Sequence, residues 1–141
     1  MGTLMKRVVS MIIALNIGFY GCTRIDLSTP EKCVDSLYHA ISKKDAELYS
    51  RCFYEAGEYK SDEIRMGARY IFEHLSIIEY RITGREEITA EKMSLKVEEV
   101  SKKSDGLMIA SSFVVTCIKV GKDWKILKSE MLAIRKIDKK P

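Results

Sequence analysis

The spacing of apolar residues changes along the chain and divides it into a helical part and a strand part. Between residues 28 and 75, apolar side chains recur at every third or fourth position, the spacing of one face of a helix. A first helix should begin with Thr29 or Ser28 as its N-cap and Pro30 at the first helical position. We therefore predict an amphipathic helix whose apolar face consists of Val34, Leu37, Tyr38 and Ile41.

Two further helices are predicted before the pattern changes. The segment SKKD (residues 42–45) interrupts the first helix, and Asp45 can cap a second one. The apolar face of the second helix consists of Leu48, Tyr49, Cys52 and Phe53. The first two helices should form a helical hairpin. A third helix should start near Asp62, with an apolar face of Ile64, Ala68, Ile71, Phe72 and Leu75.

After residue 75 the period falls to two, which is typical of β-strands. A first strand should place Ile78, Tyr80 and Ile82 on one side. A second strand has the alternation of a half-exposed strand, with the apolar residues Met93, Leu95 and Val97. The third, LMIASSFVVTCIKV (residues 107–120), is apolar on both alternations and should be central, with both faces covered. After the turn signal GKD (121–123), the final strand is WKILKSEMLAIRKI (124–137).

The order of these elements predicts an α+β fold, in which N-terminal helices pack on one face of a curled antiparallel sheet. Three of the strands are joined by tight turns and should form a meander. Two segments resemble the opening helices and the final hairpin of nuclear-transport-factor-2-like, or cystatin-like, α+β proteins: TPEKCVDSLYHAISKKDAELYSRCF (29–53) and VGKDWKILKSE (120–130). The resemblance covers about residues 28–135. It implies a cone-shaped cavity between sheet and helices as the ligand site.

The first 21 residues have the layout of a secretory signal. The basic segment MGTLMKR precedes the apolar run VVSMIIALNIGFYG, which is shorter than the roughly 20 residues of a membrane-spanning helix. FYGC (residues 19–22) resembles the lipobox of bacterial lipoproteins. The resemblance implies cleavage after Gly21 and attachment of fatty acyl chains such as palmitate to Cys22, which together anchor durably. Two alternatives stay open: residues 1–21 remain as an uncleaved anchor, or Cys22 is an ordinary extracytoplasmic thiol.

These features predict the organisation of the chain. We expect a lipoprotein signal peptide at residues 1–21, a tether at 22–28, the α+β domain at 29–135 and a basic tail at 136–141. The subgroup that the resemblance suggests is small secreted lipoproteins of unassigned role. By resemblance to lipoprotein sorting, Thr23 is not the Asp that retains some lipoproteins at the inner membrane. The implied location is the cell envelope, with the outer membrane facing the periplasm favoured in a cell that has one.

Charge argues against a nucleic-acid partner. The chain has 24 basic and 20 acidic residues, and loss of Lys6 and Arg7 with the signal leaves 22 against 20, or +2. The basic residues alternate with acidic ones except in the tail RKIDKKP (135–141), whereas a nucleic-acid surface needs a basic stripe. The expected partner is a membrane, through the lipid anchor that the lipobox resemblance implies, and the basic tail can also touch anionic headgroups. A small-molecule or protein ligand is a further expected partner whose identity the sequence does not give.

The cysteines and histidines allow few kinds of site. Cys33 and Cys52 lie about equally far from the bend of the helical hairpin, so they are either a disulfide or two small buried thiols. Cys117 lies in the most apolar strand and should be a core residue. His39 and His74 stand singly on separate helices, and no Cys-x-x-Cys pair is present in the sequence, so we expect no metal and no cofactor.

A general base is the remaining chemistry to consider, because nuclear-transport-factor-2-like folds host isomerases and dehydratases that use a buried acid. The acids on the predicted elements are Asp35, Glu79, Glu98, Glu99 and Glu130. Glu130, on the last strand, is the one weak catalytic candidate. The tyrosines that can line a cavity are Tyr38, Tyr49, Tyr70 and Tyr80.

The sequence therefore favours a lipid-anchored, non-enzymatic binding or accessory module of the cell envelope, with a small-molecule cavity. One alternative is a structural or assembly subunit that acts through the face of the sheet, for example as a homodimer. The other is an isomerase- or cyclase-type enzyme that uses the cavity. A deep cavity holding an unpaired acid would favour the enzyme.

Overall fold

Three helices precede four strands in the computed structural model, which describes residues 25–137. The elements are α1 (Pro30–Lys43), α2 (Ala46–Arg51), α3 (Ser61–His74), β1 (Leu75–Thr89), β2 (Lys92–Lys103), β3 (Met108–Val120) and β4 (Asp123–Lys136). The strands form one antiparallel sheet in the order β1-β2-β3-β4. The predicted α+β fold, with N-terminal helices and a curled antiparallel sheet, is confirmed.

Some of the sequence predictions concern residues beyond this range. The signal peptide at residues 1–21, the acylation of Cys22 and the end of the basic tail (138–141) lie outside the described residues. Within residues 25–137, no helix combines the length and the apolar character needed to cross a bilayer.

Side-chain caps fix where the first two helices begin. The Thr29 hydroxyl accepts the Lys32 backbone N–H at 3.0 Å, and Pro30 follows at the first helical position. Asp45 Oδ1 accepts the Leu48 N–H at 3.0 Å. Both predicted caps are confirmed. Lys44 supplies the break between the two helices, because it has the left-handed conformation (φ 55°) that ends α1.

The core fills one end of the sheet. This core end carries the β1–β2 and β3–β4 turns, and its buried inward residues include Leu95, Val97, Val115, Cys117, Trp124 and Ile126. The helices pack on the same face through Val34, Leu48 and Tyr49, and Phe53, just after α2, joins this contact and pairs with Ile126. The opposite end, called the open end below, carries the β2–β3 turn, the start of β1 and the end of β4.

The last part of the predicted tether belongs to this core. Leu27 is buried, and its carbonyl oxygen accepts the Trp124 N–H at 2.7 Å. Ile25 also packs against the core. The chain therefore joins the domain near residue 25, at the core end of the sheet, rather than at residue 29.

Two strand predictions differ from the structure. Ile78 does not share a face with Tyr80 and Ile82, because it is the extra residue of a bulge: Ile77 pairs with Ser101, and Glu79 with the next residue, Val100. Strand β3 lies inside the sheet, but the described helices cover only one of its faces. Its other face, which includes Val114, is half-buried rather than covered.

The three cysteines of the domain are buried free thiols in the structure. The Cys33 Sγ donates to the Cys52 carbonyl oxygen at 3.6 Å, so α1 and the end of α2 meet here, as in a helical hairpin. A hydrogen bond with Cys117, together with burial, raises the pKa of the Cys33 thiol. Burial raises the pKa of Cys52 to about 12. All three therefore serve as small, unreactive core residues.

Candidate functional site

The inward face of β2 changes from apolar to polar toward the open end. Met93, Leu95 and Val97 are followed in the same alternation by Glu99, Ser101 and Lys103. On the neighbouring strand β3, Ser111 lies inward between Ile109 and Phe113. Ser111 pairs directly with Glu99 across the two strands. The open end of the sheet thus has polar groups on a face that is otherwise apolar.

These residues line a cavity of about 500 Å³ at the open end, beneath the end of α3. Its apolar wall consists of Tyr70, Leu75, Leu107, Ile109, Phe113, Met131 and Ile134. Its polar floor consists of Glu99, Ser101 and Ser111, all buried. Its rim carries Lys103 and Lys136, called the basic mouth below, whereas Arg135, between Ile134 and Lys136 on β4, borders the rim but points to the opposite face. A mostly apolar cavity with a few converging polar groups is the usual form of a small-molecule site.

Glu99 is held in the floor by a tyrosine from α1. It is 9% exposed, and the Tyr38 hydroxyl donates to its Oε1 at 2.5 Å. Burial raises the pKa of Glu99, and the Tyr38 hydrogen bond acts in the opposite direction. Burial and the nearby Glu99 carboxyl also raise the pKa of Tyr38. The pair is therefore a buried acid supported by one neutral donor.

A second tyrosine holds Tyr38 in place. The rings of Tyr38 and Tyr80 stack with centroids 4.0 Å apart and planes 8° from parallel. The Tyr80 hydroxyl donates to Asp35 Oδ1 at 2.7 Å. Two tyrosine–carboxyl hydrogen bonds therefore tie α1 to the sheet, one at the buried Glu99 and one at the exposed Asp35.

Ser101 differs from the rest of the floor. It is 1% exposed, and its Oγ has no hydrogen-bond partner among residues 25–137. A buried polar atom without a partner costs about 1–3 kcal/mol, so native structures rarely retain one without a reason. The Ser101 hydroxyl is therefore an unsatisfied donor beside the cavity, and its side chain must turn toward the cavity before a guest can bond to it.

The structure brings some of the predicted site residues to this cavity and leaves others elsewhere. Tyr70 lines the cavity and Tyr38 reaches its floor, whereas Tyr49 is part of the core. Glu130 does not face the cavity: it pairs across the sheet with Val114 and lies exposed, 3.7 Å from the Lys128 Nζ. Adjacent strand residues point to opposite faces, and the neighbouring Met131 takes the inward position.

The floor residues could have been found from the sequence by continuing one alternation. Glu99, Ser101 and Lys103 occupy the same phase as Met93, Leu95 and Val97, which the sequence correctly predicted to be one face of a strand. Polar residues at the inward-facing positions of a strand indicate that this part of the face lines a cavity instead of packing in the core. No group of three or more His, Cys, Asp or Glu residues within 25–137 could hold a metal ion.

Replacing Glu99 with glutamine should stabilise the protein near neutral pH by about 0.5–2 kcal/mol, the usual gain when a strained functional group is removed. The raised pKa of Glu99 means that the folded state holds a proton more tightly than the unfolded chain. Stability is therefore lost as pH rises through the folded-state pKa. The glutamine carbonyl can still accept the Tyr38 hydroxyl, so only the charge penalty is removed.

Urea unfolding followed by the fluorescence of Trp124, the single tryptophan, measures this change. The gain should vanish below the ordinary glutamate pKa of 4.5, where the carboxyl is protonated in both states. Glu98→Gln is the matched control, since Glu98 is the next residue on β2 and pairs with Arg81 at 3.0 Å outside the cavity. A Glu99→Gln protein less stable than the wild type near neutral pH would contradict the prediction.

No protein-family model matches this sequence, and no curated protein matches it. Solved structures of similar shape exist. A ketosteroid isomerase-like protein from Erwinia carotovora atroseptica has a TM-score of 0.60 and 14% identity, over 83% of this chain and 100% of that one. A SEC-C motif containing protein from Rhodopseudomonas palustris has a TM-score of 0.63 and 15% identity, over 75% and 80%.

A third similar structure is described by its fold alone. It is a protein of unknown function with a cystatin-like fold from Nostoc punctiforme, with a TM-score of 0.54 and 12% identity, over 72% of this chain and 85% of that one. At such identities the likeness concerns the fold and not the activity. The domain therefore has the nuclear-transport-factor-2-like, or cystatin-like, fold that the sequence resembles.

Proposed function

We propose that the protein is a lipid-anchored module of the cell envelope that binds a small molecule in the cavity at the open end of its sheet. The observation that carries the binding role is the unpartnered Ser101 hydroxyl in the floor of a largely apolar cavity. A guest with an apolar body would remove the wall from water, and a polar group on that guest would satisfy Ser101.

The proposed anchor rests on the signal-like N-terminus and on the lipobox resemblance at Cys22. Cys22 is three residues before Ile25, so at most about 10 Å of chain separates it from the domain. The chain joins the domain at the core end, beside Trp124. The cavity mouth lies at the other end of β4, at Lys136, about 40 Å away along the strand. Anchored in this way, the cavity would open away from the membrane.

The binding role is tested with prodan, a neutral naphthalene ketone whose emission shifts with the polarity of its surroundings. Saturable binding to the membrane-extracted full chain is expected, with a shift to shorter wavelength. Ser111→Phe should abolish the binding by filling the cavity, whereas Ser112→Phe, on the next residue and the opposite face, should leave it unchanged. Absence of saturable binding, or equal effects of the two variants, would overturn the binding role.

The anchor is tested by the intact mass of the same membrane-extracted protein. We expect a chain that begins at Cys22 and carries acyl chains, and a Cys22→Ser protein without them. Cys117→Ala is the control that keeps the anchor, because the Cys117 thiol lies in the core. An unmodified chain that begins at Met1 would contradict the anchor and leave the cavity prediction unaffected.

A second candidate function, an isomerase- or dehydratase-type enzyme, is favoured by the buried Glu99 carboxyl and its tyrosine donor. One of the similar structures is described as ketosteroid isomerase-like. Glu99→Gln separates the two functions, because it should retain guest binding in both cases but abolish turnover in an enzyme. The remaining alternative, a homodimer or assembly subunit that acts through the sheet face, predicts an assembled mass for the detergent-extracted protein.

A further inference from the structure

We propose that the guest is an elongated amphiphile with a negatively charged group at one end and a neutral hydroxyl or carbonyl group at the other. The charged end would lie at the basic mouth and the neutral end at the polar floor. This inference rests on the proposed binding function and specifies the chemistry of the guest.

The basic mouth carries positive charge that the domain does not neutralise. Among the ion pairs within residues 25–137, none involves Lys103, Arg135 or Lys136. Asp105, the acid of the adjacent β2–β3 turn, accepts the Leu107 N–H of that turn at 2.9 Å. Among residues 25–137, the only acid lining the cavity is Glu99, in the floor. A negative group at the mouth would therefore gain two cationic neighbours, Lys103 and Lys136.

Distance along β2 separates Lys103 from the polar floor. Ser101 and Glu99 lie two and four residues inward from Lys103, which corresponds to about 7 and 13 Å of strand. Lys136 reaches the site from β4, level with Ser101, because both residues pair with Ile109. The wall beside these positions is apolar, with Ile109 level with Ser101, Ile134 level with Glu99 and Phe113 one row further in. One rod-shaped guest can therefore contact the basic mouth, the apolar wall and the floor together.

The floor itself selects a neutral group rather than a second charge. The acid of the floor, Glu99, is buried, so a second anion there would lie beside another carboxyl group in a site of low polarity, which is unfavourable. The Ser101 hydroxyl can donate to a carbonyl or exchange a hydrogen bond with a hydroxyl. A simple alkyl end would leave the Ser101 hydroxyl without a partner, which is unfavourable.

Displacement of prodan from the full-length protein by three compounds tests the proposal. The compounds share one chain: ω-hydroxydecanoate has both end groups, decanediol lacks the anion, and decanoate lacks the inner hydroxyl. We expect ω-hydroxydecanoate to bind about tenfold more tightly than decanediol, because its carboxylate forms partly exposed ion pairs with the basic mouth. This difference in affinity should shrink at high salt. It should bind about fivefold more tightly than decanoate, from one hydrogen bond.

Variants assign each end of the guest to its contact. The double variant Lys103→Gln/Lys136→Gln should weaken ω-hydroxydecanoate severalfold and leave decanediol unchanged. The matched control is Lys96→Gln/Lys102→Gln, because these two lysines are exposed on β2 between the inward positions. Ser101→Ala should remove the difference between ω-hydroxydecanoate and decanoate.

The outcomes separate this inference from the binding function. Equal binding of ω-hydroxydecanoate and decanediol, or equal effects of the two double lysine variants, overturns the inference while saturable prodan binding still supports a cavity that binds small molecules. Preference for decylammonium over decanoate also overturns it, because Glu99 rather than the basic mouth would then dominate the charge selection. Absence of prodan binding itself overturns the proposed function.

Discussion

Replacing Leu95 with alanine is expected to lower the free energy of unfolding by about 2–5 kcal/mol, which is a large part of the stability of a domain of this size. Leu95 is 0% exposed and lies on the inward face of β2, with Val115 beside it on β3 and Arg85 opposite it on β1. The substitution removes buried methyl groups and leaves a cavity that a sheet paired on both sides cannot close by shifting.

Leu132→Ala provides a control with the same chemical change. Leu132 is on β4 but is 56% exposed, so its truncation should change stability by less than about 0.5 kcal/mol. Urea unfolding followed by Trp124 fluorescence compares the two, with Leu95→Met as a milder variant that keeps most of the volume and should cost less than about 1.5 kcal/mol. Equal unfolding midpoints for Leu95→Ala and Leu132→Ala would show that the core is not centred on β2.

Replacing Tyr38 with phenylalanine is expected to destabilise the protein by about 1–3 kcal/mol near neutral pH, because the buried Glu99 carboxylate loses its hydrogen-bond donor. The ring and its stacking on Tyr80 are retained, so the change isolates the hydroxyl. Loss of this donor should raise the pKa of Glu99 further, since the bond favours the charged form.

The pH dependence has a definite sign. A carboxyl whose folded-state pKa is raised contributes stability below its unfolded-state pKa, and that contribution is lost as pH rises through the folded-state value. The Tyr38→Phe defect should therefore be smallest below pH 4.5, the ordinary value for glutamate, and should grow toward neutral pH. Unfolding curves at a series of pH values measure it.

Tyr80→Phe is the matched control for Tyr38→Phe. Tyr80 also donates to a carboxyl, but its partner Asp35 is exposed and can bond to water when the hydroxyl is removed. The expected loss of stability is about 1 kcal/mol or less. A defect in Tyr80→Phe as large as that in Tyr38→Phe, or a Tyr38→Phe defect independent of pH, would argue against a buried charge at Glu99.

Local chemistry was enough to predict the elements and their order. Thr29, Pro30 and Asp45 are cap residues that act within one helical turn, so their role can be inferred from neighbouring positions alone. The alternation of Met93, Leu95 and Val97 identifies a strand face in the same way. The helices, the strands joined by tight turns and the order of these elements can all be recognised from neighbouring residues. The α+β fold therefore followed from the sequence.

The alternation along β2 places Glu99 inward, but the sequence did not show that Glu130 lies outward, because that depends on a bulge in the pairing of β3 with β4. Glu130 continues the alternation of Trp124 and Ile126, yet an extra residue between Ile126 and Lys128 moves it to the exposed outer face. Glu99 instead meets Tyr38 from a helix 61 residues away. A single extra residue, Ile78, likewise interrupts the alternation of β1, so that Ile77 rather than Ile78 shares the inward face with Tyr80 and Ile82.

The cavity is the property that only the tertiary structure decided. Its floor, wall and basic mouth come from α3 and all four strands, and no group in the described part of the chain reaches the Ser101 hydroxyl. The sequence by itself determined which residues form helices and strands and that one face of the sheet is apolar. Where that face stops packing and begins to enclose space depends on how far the helices extend over a curled sheet, which is a matter of long-range packing.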